Sequence, residues 1–411
     1  MERVILHSDL NSFYASVEML YQPKLRQIPM AVGGDEERRH GIILAKNEAA
    51  KKFQVATGEP LWQAKRKCPE LTIMPPHFSK YLYFSNLVRE IYLEYTDQVE
   101  PFGIDECWLD VTGSLGLYGS GIQIAEQIRQ RVWNELGITV SIGVSNNKIT
   151  SKLGSDYKKP DAITQITPEN YKRIVYPLPA SSLLYVGPAT ARKLQSRGIH
   201  TIGQLAQTDR KLLIQWFGKL GDLLFVFSNG LDRSPVARND ECAAVKSIGN
   251  STTTCRDMKN DEDIRMVFTV LAESVAARVR EHGLKGETLC IFVRDHTLHS
   301  FSCQQKLPRP SCLADTMVET AMALFQRHYS WPSPVRSIGL SISDFVYENT
   351  PVQLDLYHSH QTAAQREKLA KTVDSLRHRF GSGCVQRAIV LLDRELTHAA
   401  PEQEFALHFK R

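Results

Sequence analysis

Residues 4–18 read VILHSDLNSFYASVE and residues 100–111 read EPFGIDECWLDV; together these two stretches decide the fold. The first is an apolar run that stops at Asp9 and then sets Phe13 and Tyr14 at the start of a helical pattern. The second places the adjacent acids Asp105 and Glu106 inside an apolar strand pattern. Successive side chains of a regular strand point to opposite faces, so neighbouring carboxylates converge only at a turn or a strand end. Gly103 supplies the backbone freedom for such a bend. Three acids gathered from two strands repel one another and are costly to bury unless cations sit between them, and oxygen-only ligands suit Mg2+. From the residues alone a plainer arrangement stays open, in which Asp9 caps the following helix through N–H groups near Asn11 or Ser12, while Asp105 and Glu106 occupy a solvated hairpin tip. Asp110 reads as structural.

Outward from these strands the pattern is mixed α and β. Residues 3–8 predict a strand, Asn11 to about Leu20 a helix, 30–34 and 41–45 a hairpin-like pair, and 47–53 a short helix. Phe78 to Thr96 predicts a long helix, followed by the strand-like 100–111, a helix over 122–136 and a strand over 139–145. From Tyr171 to about Asn229 short helices punctuated by glycine form a small helical domain, and the polar, aperiodic 231–245 suits a linker. Beyond it the expected order is strand 246–253, helix 261–282, strand 287–295, strand 299–306, helix 312–328 and strand 335–345. That is a split β-α-β-β-α-β unit. The remainder holds an amphipathic helix near 361–380 and a candidate strand, QRAIVLLD, over 386–393.

The totals fit several compact units. A chain of 411 residues exceeds what one core ordinarily spans, and 42% hydrophobic with 23% charged residues is the composition of a soluble globular protein. The eight cysteines form no Cys-x-x-Cys pair and no close Cys/His cluster, so they read as reduced and the expected compartment is the cytoplasm. No leader pattern and no long apolar span is legible, so no membrane is expected. The net charge of +5 is unevenly placed: residues 166–240 hold ten Lys and Arg against five Asp and Glu, which favours an anionic partner there.

DLNSFYASVE (9–18) together with GIDECWLDVTGS (103–114) resembles the paired palm signatures of Y-family DNA polymerases, in their bacterial DNA polymerase IV form. The likeness runs in order from about residue 3 to 345. It implies an α+β multidomain fold arranged as a right-hand polymerase: palm 1–18 and 78–165, small fingers 19–77, helical thumb 166–233 with a helix-hairpin-helix, linker 234–245, a β-α-β-β-α-β little finger 246–346, and a C-terminal tail 347–411. It implies that Asp9, Asp105, Glu106 and the Leu10 carbonyl hold two magnesium ions, with the three acids catalytic and no protein nucleophile. Tyr14 would be the steric gate beneath the deoxyribose, with Phe13 at the pocket wall.

The same resemblance assigns further contacts. In AKNEAAKKF (45–53), Lys51 stands where the family has an arginine and Glu48 where it has a tyrosine, which puts those triphosphate contacts in question and leaves Lys46 and Asn47 as neighbours able to compensate. Lys159 matches a lysine that reaches the triphosphate, and Gly58 a fingers glycine that lets the base pair approach. Lys148 and Lys152 are open to structural or DNA-side roles. Gly187 and Gly198 belong to the hairpin, whose amides would hold DNA phosphates. Lys246, Arg294, Lys306 and Arg336 are the little-finger candidates for DNA, expected on one face. Gln353, Leu354, Leu356 and Tyr357 resemble the peptide by which bacterial polymerases hold the sliding clamp.

The implied partners are primer-template DNA, deoxynucleoside triphosphates and the clamp, and the implied state is a monomer. The implied activity is template-directed, low-fidelity synthesis past lesions. The alternative from another class is a catalytically inactive polymerase-like scaffold that binds DNA and the clamp; its mark would be a lost acid, and all three are present. GGDEE at 33–37 is similar to the Gly-Gly-Asp-Glu hairpin of diguanylate cyclases, but basic RRH follows it and it lies in the fingers excursion, so it is set aside.

Overall fold

The computed structural model describes residues 3–35, 39, 41–241, 244–351 and 360–397. Its described residues divide into two compact units, the first built on 3–33 and 43–241, the second on those within 34–42 and from 244 to 397. In chain order the first unit contains β1 (Ile5–Leu10), α1 (Phe13–Tyr21), β2 (Met30–Gly33), β3 (Ile43–Lys46), α2 (Glu48–Lys51), α3 (Leu61–Lys67), β4 (Thr72–Met74), α4 (Phe78–Leu93), β5 (Val99–Pro101), β6 (Glu106–Asp110), α5 (Leu115–Tyr118), α6 (Gly121–Leu136), β7 (Val140–Ser145), α7 (Lys148–Tyr157) and β8 (Ile163–Gln165).

Five of these strands form a sheet in the order β5-β6-β1-β7-β8, antiparallel except for β7 with β8. Strand alternation sorts its residues into two faces. Leu6, Leu109, Ile142 and Val144 turn to one side and bury against Phe84, Val88 and Tyr92 of α4 and Ile124, Ile128 and Val132 of α6. His7, Asp9, Glu106, Trp108 and Gly143 turn to the other, where α7 lies. Gly143 allows that approach: a Cβ there would stand 1.8 Å from the Ser151 carbonyl oxygen, so any side chain would push α7 off the sheet.

Two smaller cores complete the first unit. Strands β3-β2-β4 form a three-stranded sheet over Ala31, Ile43, Val55, Leu61 and Leu71. The expected hairpin pair β2 and β3 is there, and β4 adds itself parallel to β2, a pairing three residues of sequence do not announce. The helical part is α8 (Pro168–Val175), α9 (Pro188–Gln195), α10 (Ile202–Gln207), α11 (Arg210–Phe217) and α12 (Lys219–Ser228), closed around Val175, Leu194, Ile202, Leu213 and Leu224.

The segment expected as a linker is in part fastened down. Arg3 donates to the Ser234 carbonyl at 3.1 Å, the Ala237 N–H donates to Glu100 at 2.9 Å, and Val236 is 3% exposed against Ile5 and Trp108. A single apolar residue in a polar run has no periodicity, so only the tertiary contact reveals its docking.

The second unit holds β9 (Ser247–Met258), α13 (Asp261–Glu281), β10 (Leu284–Asp295), β11 (Ser300–Ser311), α14 (Ala314–His328) and β12 (Val335–Tyr347), an all-antiparallel sheet ordered β11-β10-β12-β9. Leu289, Ile291, Val293, Ile338, Leu340 and Ile342 face the two helices, as the split β-α-β-β-α-β pattern requires. Helix α15 (His360–Phe380) lies against α13, held by Arg280–Asp374 at 2.6 Å and Arg377–Glu273 at 2.5 Å. QRAIVLLD does not form the expected strand. It makes a 3-10 turn over Ala388–Leu391 before α16 (Arg394–Thr397), because the Thr397 hydroxyl bonds back to the Val390 and Asp393 carbonyls and curls the segment on itself. Among the described residues no helix is long and apolar enough to cross a membrane.

Candidate active site

Antiparallel pairing of β1 with β6 sets Asp9 directly opposite Glu106. Asp105 sits in the turn just before β6, where its carbonyl accepts the Leu10 N–H at 3.0 Å, and Gly103 takes φ +93°, a left-handed bend that favours glycine. The plainer arrangements are absent. The Asn11 N–H goes to the Thr139 carbonyl at 2.9 Å, and α1 is capped by Ser12 without a side-chain hydrogen bond, so Asp9 is not a helix cap. Asp9 is 6% exposed and both Asp105 and Glu106 are half-buried rather than held in a solvated tip.

Two ammonium groups meet these acids from the α7 side. Lys159 Nζ lies 2.7 Å from Asp9 and 2.8 Å from Asp156, and Lys152 Nζ lies 2.5 Å from Glu106. Asn11 aligns the Lys159 segment by accepting the Asp161 N–H at 2.8 Å. His7 is buried on the same face, with Nδ1 2.7 Å from Ser155 Oγ and Nε2 3.4 Å from Glu106; burial, then Lys152, push its pKa down to about 3, so the ring is neutral. Burial raises the Asp105 pKa to about 7, with Asp9 and Glu106 adding to it. Burial likewise raises Asp9 to about 6 even though Lys159 opposes the rise.

Two lysines therefore compensate the trio only in part. Among the described residues no three His, Cys, Asp or Glu side chains are gathered into a ready cage for a metal ion. The donor chemistry nonetheless fits a hard divalent cation: oxygen atoms only, on buried and half-buried carboxylates whose mutual repulsion is only partly relieved.

The aromatics beside the acids divide. Phe13 is 3% exposed and belongs to the core. Tyr14 is half-buried, its ring parallel to Tyr81 with centroids 4.3 Å apart and 12° between planes. Burial, then the Asp105 carboxylate, push its phenol up to about 12. The sequence reading missed Tyr81 and also Glu18, whose fully buried carboxylate accepts the Tyr81 hydroxyl at 2.7 Å. The available signal was an acid four residues after Tyr14 on an apolar helix face.

In the three-stranded region, Lys51 is engaged by Glu48 at 2.6 Å, and Asn47 is 3% exposed, capping α2 and donating to the Leu25 and Ile28 carbonyls. Asn47 is thus committed to the fold. Lys46 donates to the Thr57 hydroxyl at 3.0 Å rather than to a carboxylate, and Gly58 takes φ +84°. Lys148 pairs with Glu100 at 2.6 Å, a structural tie.

Gly187 caps α9 with an ordinary φ of −72° and open space where a Cβ would stand, and Gly198 ends that helix with φ +76°. The expected first helix of the hairpin is only a 3-10 turn, Ala180–Ser182. In the second unit, alternation along the ladder brings Arg294 and Lys306 to the side away from α13 and α14. Lys246 precedes β9 at the opposite parity and Arg336 sits in a register shift of β12, so the four do not share one face. Gln353, Leu354, Leu356 and Tyr357 lie outside the described residues.

Comparison with known proteins agrees at every level. The sequence model of the impB/mucB/samB family matches residues 8–156, and that of the impB/mucB/samB family C-terminal domain matches 245–356. The chain is 48% identical over 396 residues to DNA polymerase IV of Acetivibrio thermocellus, covering 96% of this chain and 99% of that protein. It is 36% identical to DNA polymerase IV 1 of Bacillus subtilis, covering 96% and 94%. Among solved structures, the Y-family DNA polymerase chimera Dbh-Dpo4(243-245)-Dbh shares the fold with a TM-score of 0.73 at 23% identity, over 84% of this chain and 99% of that one. With two family models, relatives named DNA polymerase IV along nearly the whole chain and the shared fold in agreement, the chain belongs to the impB/mucB/samB family of Y-family DNA polymerases, in the DNA polymerase IV group.

Proposed function

We propose that this chain is a template-directed DNA polymerase that adds deoxynucleotides to a primer 3′ end by phosphoryl transfer, in low-fidelity synthesis past damaged bases. One observation carries the reading: Asp9 and Glu106 are paired across two strands with Asp105 in the adjoining turn, half-buried and only partly neutralised. Asp9, Asp105, Glu106 and the Leu10 carbonyl would hold two magnesium ions. Bound there, magnesium lowers the pKa of the primer hydroxyl and offsets charge on the triphosphate.

The chain's own groups do the positioning. Lys159, which in the free protein is bonded to Asp9 and Asp156, exchanges these carboxylates for the triphosphate. Lys152 keeps Glu106 turned toward the site. Lys46, which donates to the Thr57 hydroxyl and not to a carboxylate, meets phosphate from the three-stranded region, whereas Lys51 is engaged by Glu48. Tyr14 lies beneath the sugar and excludes a 2′-hydroxyl. The open space at Gly187 suits a phosphate drawn to the α9 amides; Arg294 meets the duplex backbone from the second unit, and Lys306 does so in exchange for Glu287, which lies 2.9 Å from its ammonium. Clamp recruitment by residues 353–357 rests on their sequence alone.

Primer extension on damaged and undamaged templates tests this. Wild type should extend both and Asp105→Ala/Glu106→Ala neither; equal extension by the two proteins would return the chain to the scaffold reading.

A further inference from the structure

Glu18 is an anomaly of the first unit. Its side chain is fully buried in a helix that otherwise turns apolar residues inward, and an uncompensated buried carboxylate costs several kcal/mol. Oε1 accepts from the Tyr81 hydroxyl at 2.7 Å and lies 2.8 Å from His77 Nδ1. Oε2 has no hydrogen-bond partner among the described residues and faces the Lys80 ammonium at 3.7 Å. A core position needing only volume would be filled by glutamine or leucine without this cost.

What Glu18 fastens is the ring behind Tyr14. Tyr14 and Glu18 lie four residues apart on α1, hence on one face, opposite His77, Phe78 and Tyr81 at the start of α4. Tyr81 is fully buried and stacks on Tyr14 at 4.3 Å, while Phe78 meets Tyr14 edge-on at 5.9 Å. A stacked pair alone leaves a ring free to slide in its plane. A charge-assisted hydrogen bond at the far end of one ring removes that freedom.

We propose that Glu18 is a positioning residue for sugar selection: it anchors Tyr81 by its hydroxyl and, through the stack, fixes the height of the Tyr14 ring against the incoming nucleotide. A gate that works by van der Waals exclusion is sensitive to displacements of well under the size of a hydroxyl group, so the anchor matters more for rejecting ribonucleotides than for accepting deoxynucleotides. This rests on the reading of Tyr14 as the gate.

The test measures kcat/KM for a deoxynucleotide and for its ribonucleotide, and takes their ratio. Tyr14→Ala tests the gate itself. Tyr81→Phe keeps the ring and loses the anchor, and Glu18→Gln weakens it. Tyr171→Phe, which removes a comparable buried bond to the Ser228 carbonyl at 2.9 Å elsewhere in the unit, controls for loss of stability alone.

The expected result is a ratio lowered about tenfold in Tyr81→Phe and Glu18→Gln, with deoxynucleotide kcat/KM within about threefold of wild type, and no change of ratio in Tyr171→Phe. If Tyr14→Ala lowers the ratio while Tyr81→Phe keeps it at the wild-type value, the anchor is refuted and the gate stands. If Tyr14→Ala leaves the ratio unchanged, the gate falls and the anchor with it. Should Glu18→Gln fail to fold, Tyr81→Phe decides.

Discussion

The sheet of the first unit and the sheet of the second are each covered on one side by two helices, yet their other sides differ in kind. Under α7 the first presents His7 and Asp9, both buried, with Glu106 half-buried beside them and met by Lys152. Beside an exposed Phe292, the second presents Ser251, Thr253, Ser302, Gln304 and Ser341 around Arg294 and Lys306, mostly uncharged polar groups that lose little by lying close to a partner. One sheet concentrates charge where burial makes it costly. The other spreads polarity where burial is nearly neutral. Chemistry needs the first arrangement, since a charge weakened by water does little, and sequence-independent contact is served by the second.

Changes to the two faces should therefore differ by orders of magnitude. Asp9→Ala should cut primer extension at least about a thousandfold, or ~4 kcal/mol of transition-state stabilisation, and extension within tenfold of wild type would erase the distinction between the faces. Gly143→Ala, which drives a Cβ into the Ser151 carbonyl, should destabilise the first unit by about 3 kcal/mol in denaturant unfolding; a neutral result would mean α7 does not need its close seat.

The charged face should also cost the protein stability, and the sign can be worked out. The folded-state pKa of Asp105 is about 7, above its ordinary 3.8. The folded state therefore binds a proton that the unfolded state releases between those values, so this group's effect on stability becomes less favourable as pH rises through that window. In metal-free buffer Asp105→Asn should be more stable than wild type by ~2 kcal/mol at pH 8, with the gain vanishing near pH 4. Added magnesium should raise the Tm of wild type and leave the variant unmoved.

The smallest effect belongs to the second sheet. Arg294→Ala/Lys306→Ala should weaken duplex binding several-fold, about 1 kcal/mol, and flatten the salt dependence of log K by about two units of slope. An unchanged slope would show that these cations do not meet phosphate.

Legibility in the sequence followed the range of the interaction. The split unit over 247–347 was readable because each element carries its own period of 2 or 3.6, and only the ends of strands and helices moved. Strand β4, three residues long and paired in parallel, carries no local signal, and the curl at 388–397 depends on a hydroxyl nine residues from its start. At the site, the three acids stood out as candidates because they lie in two spaced motifs, whereas Lys159 entered only through the family resemblance. Lys152 stayed undecided, Asn47 was offered as a phosphate contact and proved to be a cap, and the four cations of the second unit divided once the register was known.

The amino-acid order by itself determined which residues are chemically able to act: a run of strand ending in an acid, a second strand opening with two, and a helix that begins with paired aromatics. Only the tertiary structure decided their working state. Burial fixes how much charge each carboxylate bears, the seat of α7 on Gly143 brings lysines to two of them, and the crossing of α1 with α4 sets Tyr81 behind Tyr14. The reason is physical: identity is a property of one residue, whereas desolvation, pairing and ring stacking are properties of neighbours that the chain brings together from as far as 150 positions apart.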